Sequence, residues 1–360
     1  MLRTIRNLIV NIMAAFISDK GERHKFRNKY KRKSKFRKLR DDNRKLFNDN
    51  QAIKQQLDTL SSNLNKVNLQ VLKINSLLFS VSNVATDRPR VYLSIACMAL
   101  NEGPYLKEWI EYHRLVGVER FYYYDNGSDD NTLEVLEPYI KEGVVVYHKA
   151  DGYQIHLSIL NDAVCKYRHQ TYWLALIDLD EFIVPVEKDN IPEVLMEFDQ
   201  YPSVGINWVC FDTNGHKTKP TEHGGLVTAN YTRVNKNYDI RANREIKSIV
   251  NPRKIMYVRD FHCGMGTGVT ENFEPADYFL TKYHSSKKLR INHYIIKSKE
   301  EFLQKYNKQK QLSKRDRIKV FNDHWRDNDF TDEFEFKDGK EDLVIQKYMP
   351  KLKVAMGIQE

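Results

Sequence analysis

The hydrophobic pattern changes rhythm three times along the chain, and each rhythm predicts a different element. Residues 2–17 read as an amphipathic helix, with Leu2, Ile5, Ile9, Ile12, Met13 and Phe16 on one face. That apolar run is too short to span a bilayer, and a dense basic block follows it with no small-residue cleavage site, which argues against a cleaved leader. From Leu39 the spacing settles to 3-4. Leu39, Leu46, Ile53, Leu60, Val67, Ile74 and Val81 form one series, and Asn43, Asn50, Leu57, Leu64, Val71 and Leu78 lie between them. The spacing predicts a coiled coil over 39–85 and a homo-oligomer built through it. The alternative is an amphipathic helix folded back on the main domain. Thr86-Asp87-Arg88-Pro89 ends the helix.

Beyond residue 90, short apolar runs rich in β-branched and aromatic residues alternate with helix-period segments. Strands are expected at 91–99, 118–124, 144–148 and 173–177, with helices at 105–113, 132–140 and 154–168 between them. Gly117 and Gly143 close the first two helices. This alternation predicts an α/β domain over 90–310, a mostly parallel sheet with flanking helices. From Ser298 the chain turns charged and helix-like, which predicts a C-terminal charged helical extension over 311–360.

Polar residues then fall at successive strand ends. Asn101 and Glu102 follow the first strand, Asp125 the second, and Asp178 and Asp180 the fourth. In a parallel sheet these ends share one edge, the place where open α/β sheets bind ligands. The pair Asp178 and Asp180 closes the apolar run Trp173-Leu174-Ala175-Leu176-Ile177. Hard divalent cations take oxygen ligands and often share them with substrate phosphates, so the pair points to Mn²⁺ or Mg²⁺ on a phosphate-bearing substrate.

The formal net charge of +10 is not spread evenly. Residues 1–45 hold 16 of the 58 Lys and Arg and 4 of the 48 Asp and Glu, so the remainder carries 42 basic and 44 acidic residues. Nucleic-acid binding by the main domain gains no support from this balance. The basic helix at 1–38 fits an anionic membrane surface instead. The four cysteines have no metal-ligand spacing and read as reduced core residues in a reducing compartment.

Over about 91–310 the chain resembles a GT-A glycosyltransferase, and more closely glycosyltransferase family 92 and its family 2-like bacterial relatives. The resemblance rests on Asn101-Glu102-Gly103-Pro104-Tyr105-Leu106, Glu108-Trp109-Ile110-Glu111-Tyr112-His113, Tyr124-Asp125-Asn126-Gly127-Ser128-Asp129-Asp130, Asp178-Leu179-Asp180-Glu181-Phe182, Asn207-Trp208 with Gly215-His216, Lys247-Ser248-Ile249-Val250-Asn251-Pro252, and Ile291-Asn292-His293-Tyr294 before Lys297-Ser298. It implies a Rossmann-like GT-A sheet, a nucleotide-sugar donor, a divalent metal, and inverting transfer to a glycan or glycolipid hydroxyl in surface polysaccharide synthesis. The sequence departs from the family at Phe211-Asp212-Thr213-Asn214-Gly215-His216, where a small Gly/Ser-rich turn is usual.

On that reading Asn101, Glu102, Asp125, Asp178 and Lys247 bind the donor, and Asp178, Asp180 and His293 hold the metal. His262 is the rival late histidine and a catalytic candidate, and Glu271 is the candidate base beside the glycine-rich run 264–268. The implied location is cytoplasmic, peripheral at a membrane. Two other readings stay open: a nucleotidyl- or phosphosugar transferase, and a non-enzymatic coiled-coil scaffold.

Overall fold

The computed structural model describes residues 11–29, 45, 47–56, 59, 89–150, 152, 155–260, 262, 268–276, 278–305, 331 and 334–358. The chain divides into two units, Met1–Leu78 and Phe79–Glu360. In the first, residues 11–15, 20–29 and 47–56 are helical. The Asp19 carboxylate starts the second of these helices by accepting the Glu22 N–H at 2.7 Å, a side-chain cap on an otherwise unpaired helix donor. Ile12, Met13 and Phe16 are exposed. Among the described residues no helix is long and apolar enough to cross a membrane. Apart from residues 45, 47–56 and 59, the expected coiled coil lies outside the described residues.

The second unit opens with the predicted alternation. It runs β1 (Val91–Ala99), α1 (Gly103–Leu115), β2 (Arg120–Asp125), α2 (Thr132–Glu142), β3 (Val145–Lys149), α3 (His156–Tyr167) and β4 (Thr171–Leu176). These strands lie side by side in the order β3-β2-β1-β4, all parallel. Alternation along each strand feeds two cores. Phe121, Tyr123, Trp173 and Ala175 pack with Leu106, Trp109 and Leu136 of α1 and α2. Tyr122, Tyr124, Leu174 and Leu176 pack with Ile159, Leu160, Ala163 and Val164 of α3. Both faces of the sheet are thus covered, as a parallel sheet requires. Gly103 lets the turn after β1 close against the start of α2. A Cβ there would meet Asn131 Oδ1 at 2.2 Å and the Thr132 nitrogen at 2.9 Å.

The other half of the sheet adds antiparallel pairings that the alternation of strands and helices did not predict. It is built from β5 (Glu181–Pro185), β6 (Ser203–Cys210), β8 (Ile246–Val250) and β10 (Leu289–His293), with the short β9 (Val269–Thr270) beside β6. β8 runs antiparallel to both β4 and β6, and β10 runs parallel to β6 but antiparallel to β5. The result is a nine-stranded mixed sheet, ordered β3-β2-β1-β4-β8-β6-β10-β5 with β9 off the path. Two helical turns, α4 (Ile191–Leu195) and α5 (Val227–Asn230), join these strands.

The C-terminal end also differs from expectation. Residues 306–330 of the expected charged helical extension lie outside the described residues, and 334–358 are only partly helical. They form β11 (Gly339–Glu341), paired antiparallel with β7 (Arg233–Asn235), then a 3-10 turn at Val344–Tyr348 and α6 (Met349–Met356). Phe336, Ile345, Met349 and Leu352 are buried in the main core. The spacing of Ile345, Met349 and Leu352 is a helical apolar stripe, masked in sequence by the charged residues around it. Of the cysteines, Cys97 and Cys210 are buried, Cys165 is exposed, and Cys263 lies outside the described residues.

Candidate active site

β1 is flanked by β2 on one side and β4 on the other, so the chain reverses its winding direction between β1 and β4. A crevice opens at such a switch point, outside the carboxyl ends of the strands. Asn101 and Glu102 leave β1 on one side of it, and the turn carrying Asp178 and Asp180 leaves β4 on the other.

The antiparallel half supplies what the parallel half cannot. Because β8 runs against β4, with Leu176 opposite Ser248, its first residues stand beside the last residues of β4. Lys247 is thereby delivered to Asp178, Nζ to Oδ2 at 2.7 Å, and lies 3.8 Å from Glu181 Oε2. Burial opposes the Lys247 ammonium, but Asp178 and Glu181 raise its pKa, so it stays charged. Asp178 is one-third exposed and also faces His156 Nε2 at 3.5 Å, at the start of α3. Burial would raise the Asp178 carboxyl, yet Lys247 and His156 hold it at about 2. Glu181 behaves oppositely. It is fully buried, and burial pushes its carboxyl well above the ordinary range, toward the neutral acid. Its Oε2 accepts the Asp178 N–H at 2.9 Å and so shapes the turn.

β10 and β5 pair with His293 opposite Glu181, which sets His293 beside Asp180. The Tyr294 N–H donates to the Asp180 carbonyl at 2.8 Å, and His293 Nε2 lies 3.8 Å from Asp180 Oδ1. Burial lowers the His293 pKa to about 4, so the ring is neutral. Among the described residues its Nδ1 is buried with no hydrogen-bond partner. Asp180 is nearly buried. Burial opposes its charge, but Lys305, then His293 and Lys297, hold its carboxyl well below the usual range. Lys305 Nζ sits 2.6 Å from Asp180 Oδ2.

The two late histidines therefore part company. His293 goes to Asp180. His262 donates from Nδ1 to the Ile246 carbonyl at 3.1 Å and turns Nε2 toward Glu245 Oε2 at 3.9 Å. Trp208 touches both rings, with centroids 4.3 Å from His293 and 5.4 Å from His262.

The residues after β1 and β2 hold each other. Asn101, at φ 57°, adopts the left-handed backbone that Asn tolerates better than most residues. Its N–H donates to Ser128 Oγ at 2.9 Å, and its Oδ1 accepts the Asp129 N–H at 2.8 Å. Asp125 accepts the Ser128 N–H at 2.9 Å and the Tyr147 hydroxyl at 2.7 Å. Both residues thus shape the 126–130 turn at the crevice wall. Glu102 lies 4.0 Å from the Lys297 ammonium, which caps the Tyr105 ring at 3.9 Å.

Glu271 does not join this group. Its fully buried carboxylate accepts from Ser285 Oγ and from the backbone N–H groups of Lys287 at 3.3 Å, Lys288 at 2.5 Å and Leu289 at 3.4 Å. It anchors the entry to β10, with its carboxylate engaged by these donors. Residues 264–267 of the adjoining glycine-rich run lie outside the described residues. We expect Glu271→Gln to lower the unfolding free energy by about 1–3 kcal/mol, the cost of weakening a satisfied buried acceptor. Denaturant unfolding measures this, and turnover per folded molecule should change less than about threefold.

Sequence reasoning gave no role to Lys305, Trp208 or His156. Lys305 sits in a charged helical stretch that looks like solvated surface, and only the fold carries it to Asp180. Among the described residues no three His, Cys, Asp or Glu side chains form a closed metal cage. Asp180 and His293 form an open pair of one ionised carboxylate and one neutral imidazole. A two-donor set of this kind fits a divalent cation that takes its other ligands from substrate and water.

Residues 91–335 match the family model described as glycosyltransferase family 92. A glycosyltransferase family 92 protein of Oryza sativa subsp. japonica is 30% identical over 183 residues, covering 48% of this chain and 30% of that protein. The galactan beta-1,4-galactosyltransferase GALS2 of Arabidopsis thaliana is 26% identical over 205 residues, covering 52% of this chain and 36% of its own length. The chain thus spans about a third of the length of the curated relatives it matches. Among solved structures, S. aureus TarS 1-349 in complex with UDP aligns at TM-score 0.29 and 14% identity, over 45% of this chain and 47% of that one.

Proposed function

The chain belongs to glycosyltransferase family 92, and from that premise we propose that it moves a hexose from a nucleotide-diphosphate donor to a glycan hydroxyl, with inversion, in a GT-A crevice between β1 and β4. The observation that carries this reading is the meeting of Asp178, Asp180, Lys247 and His293 at one sheet edge, brought from strands far apart in sequence. The galactan galactosyltransferase relatives favour a galactosyl donor, UDP-galactose first, and a galactan-like or glycolipid acceptor.

The charge balance supports a metal-assisted site. Two ionised carboxylates, Asp178 and Asp180, are matched by two ammonium groups, Lys247 and Lys305. The neighbouring His293 and Glu181 are biased to neutrality. The centre is therefore nearly self-neutral and cannot by itself absorb the charge of a diphosphate. Asp180 and His293 would hold Mn²⁺ or Mg²⁺, which would neutralise the charge that develops on the departing nucleotide. Lys247 keeps Asp178 ionised and fixed. The Asn101 and Asp125 turn forms the wall against which a nucleoside can lie. The exposed Ile12, Met13 and Phe16, beside the basic segment, support a peripheral position at an anionic membrane surface.

A panel of nucleotide sugars, with and without Mn²⁺, tests the reading through nucleotide release and product NMR. The expected result is metal-dependent release of a nucleoside diphosphate from one hexose donor, with inversion at the anomeric carbon in the presence of acceptor. Release of pyrophosphate or a nucleoside monophosphate would point to a nucleotidyl- or phosphosugar transferase instead.

A further inference from the structure

Three ammonium groups crowd the carboxylates of the crevice, and each has a distinct place. Lys247 is held on Asp178 at 2.7 Å and is almost wholly enclosed. Lys297 lies 4.0 Å from Glu102 and 3.9 Å above the Tyr105 ring, again almost wholly enclosed. Lys305 differs from both. It comes from the helical residues 299–305, reaches Asp180 Oδ2 at 2.6 Å, and leaves 27% of its side chain open to solvent.

That contact falls on the same carboxylate that pairs with His293 through Oδ1 at 3.8 Å. A divalent cation between Asp180 and His293 would stand a few ångströms from the Lys305 ammonium, and two like charges so close oppose each other strongly. We infer that Lys305 is a resident counter-cation on Asp180, which an incoming divalent metal displaces and which the donor's phosphates then receive. The inference rests on the donor and metal reading above and adds a residue that nothing else assigns to it.

The partly exposed Lys305 side chain can exchange Asp180 for solvent, which the enclosed Lys247 and Lys297 cannot. Leaving costs the ion pair unless another anion takes its place. A nucleotide diphosphate supplies that anion, so metal and nucleotide assist each other. Metal alone meets a carboxylate already neutralised, and nucleotide alone meets a centre with no surplus positive charge. Lys305 is thus a positioning residue whose charge links the two binding events.

The test is a Mn²⁺ titration followed by electron paramagnetic resonance, on the full chain, with and without UDP. Without nucleotide, Lys305→Gln should bind Mn²⁺ at least about tenfold more tightly than the unsubstituted protein, since one competing charge at contact distance is gone. Lys305→Arg keeps the charge and should stay within about threefold of it. With UDP present, the gain for Lys305→Gln should shrink or reverse. Equal nucleotide-free affinities for Lys305→Gln and the unsubstituted protein, including the case where neither binds measurably, would overturn the role of Lys305 while leaving Mn²⁺-dependent UDP binding intact. Failure of every protein to bind UDP together with Mn²⁺ would instead overturn the donor reading itself.

Discussion

Asp180→Asn is expected to lower sugar transfer by about a thousandfold, the scale on which loss of one preorganised charge-stabilising group is felt. The substitution keeps the shape of the side chain and removes the carboxylate charge placed to share a cation with His293. It also takes Asp180's charge from the Lys305 ammonium, but that side chain is 27% exposed and can be rehydrated. The unfolding free energy should therefore stay within about 1 kcal/mol of the unsubstituted protein, as for ion pairs that remain near water. Initial rates of nucleotide release and a denaturant melt separate the two effects. Asp178→Asn should be milder for activity and harder on the fold. It strips Lys247, only 3% exposed, of its nearest counter-charge.

The second large effect is on stability. Arg290 and Asp342 form a two-pronged ion pair, NH1 to Oδ2 at 2.8 Å and NH2 to Oδ1 at 2.5 Å, with side chains 3% and 1% exposed. Tyr238 also donates its hydroxyl to Asp342. The pair ties the C-terminal segment to β10, three residues before His293. Asp342→Ala leaves a guanidinium buried and unpaired, and breaking a buried pair in this way costs about 3–5 kcal/mol. Replacing both partners with apolar residues, Arg290→Met with Asp342→Leu, should cost distinctly less, because no charge is left stranded. Denaturant unfolding of the single and double variants measures the difference. A loss below about 1 kcal/mol for Asp342→Ala would show that the C-terminal segment is dispensable to the core.

These two predictions draw on different parts of what the sequence makes legible. The strands and helices from Val91 to Leu176 follow local rules: apolar runs of strand length, helix-period segments and glycine stops at Gly117 and Gly143. Parallel order then follows from the alternation, and the Asp178 and Asp180 turn falls at the switch point without further information. The other half of the sheet obeys no local rule. β5, β8 and β10 are each five residues long, and nothing in so short a segment states which neighbour it pairs with or in which direction. That pairing brings Lys247 to Asp178 and His293 to Asp180.

Side-chain roles were legible only where geometry leaves one choice. Glu271 and Glu181 are both acids next to candidate motifs. One proves to be an anchor for β10, and the other a buried acid biased to neutrality behind the Asp178 turn, a difference set entirely by burial and by the donors around each. His262 and His293 look alike in sequence and separate only through the register of β10 against β5. Lys305 and Asp342 lie in stretches whose charge masks their partners. Their importance comes from contacts made across more than fifty residues of chain.

The central claim is that this crevice binds a nucleotide diphosphate through a cation shared with Asp180. Calorimetric titration with UDP, in Mn²⁺ and in chelator, tests it most directly. The account predicts saturable binding in Mn²⁺, loss of that binding in chelator, and no gain from Mn²⁺ in UDP binding by Asp180→Asn. UDP binding that is indifferent to Mn²⁺ and unchanged in Asp180→Asn would contradict it.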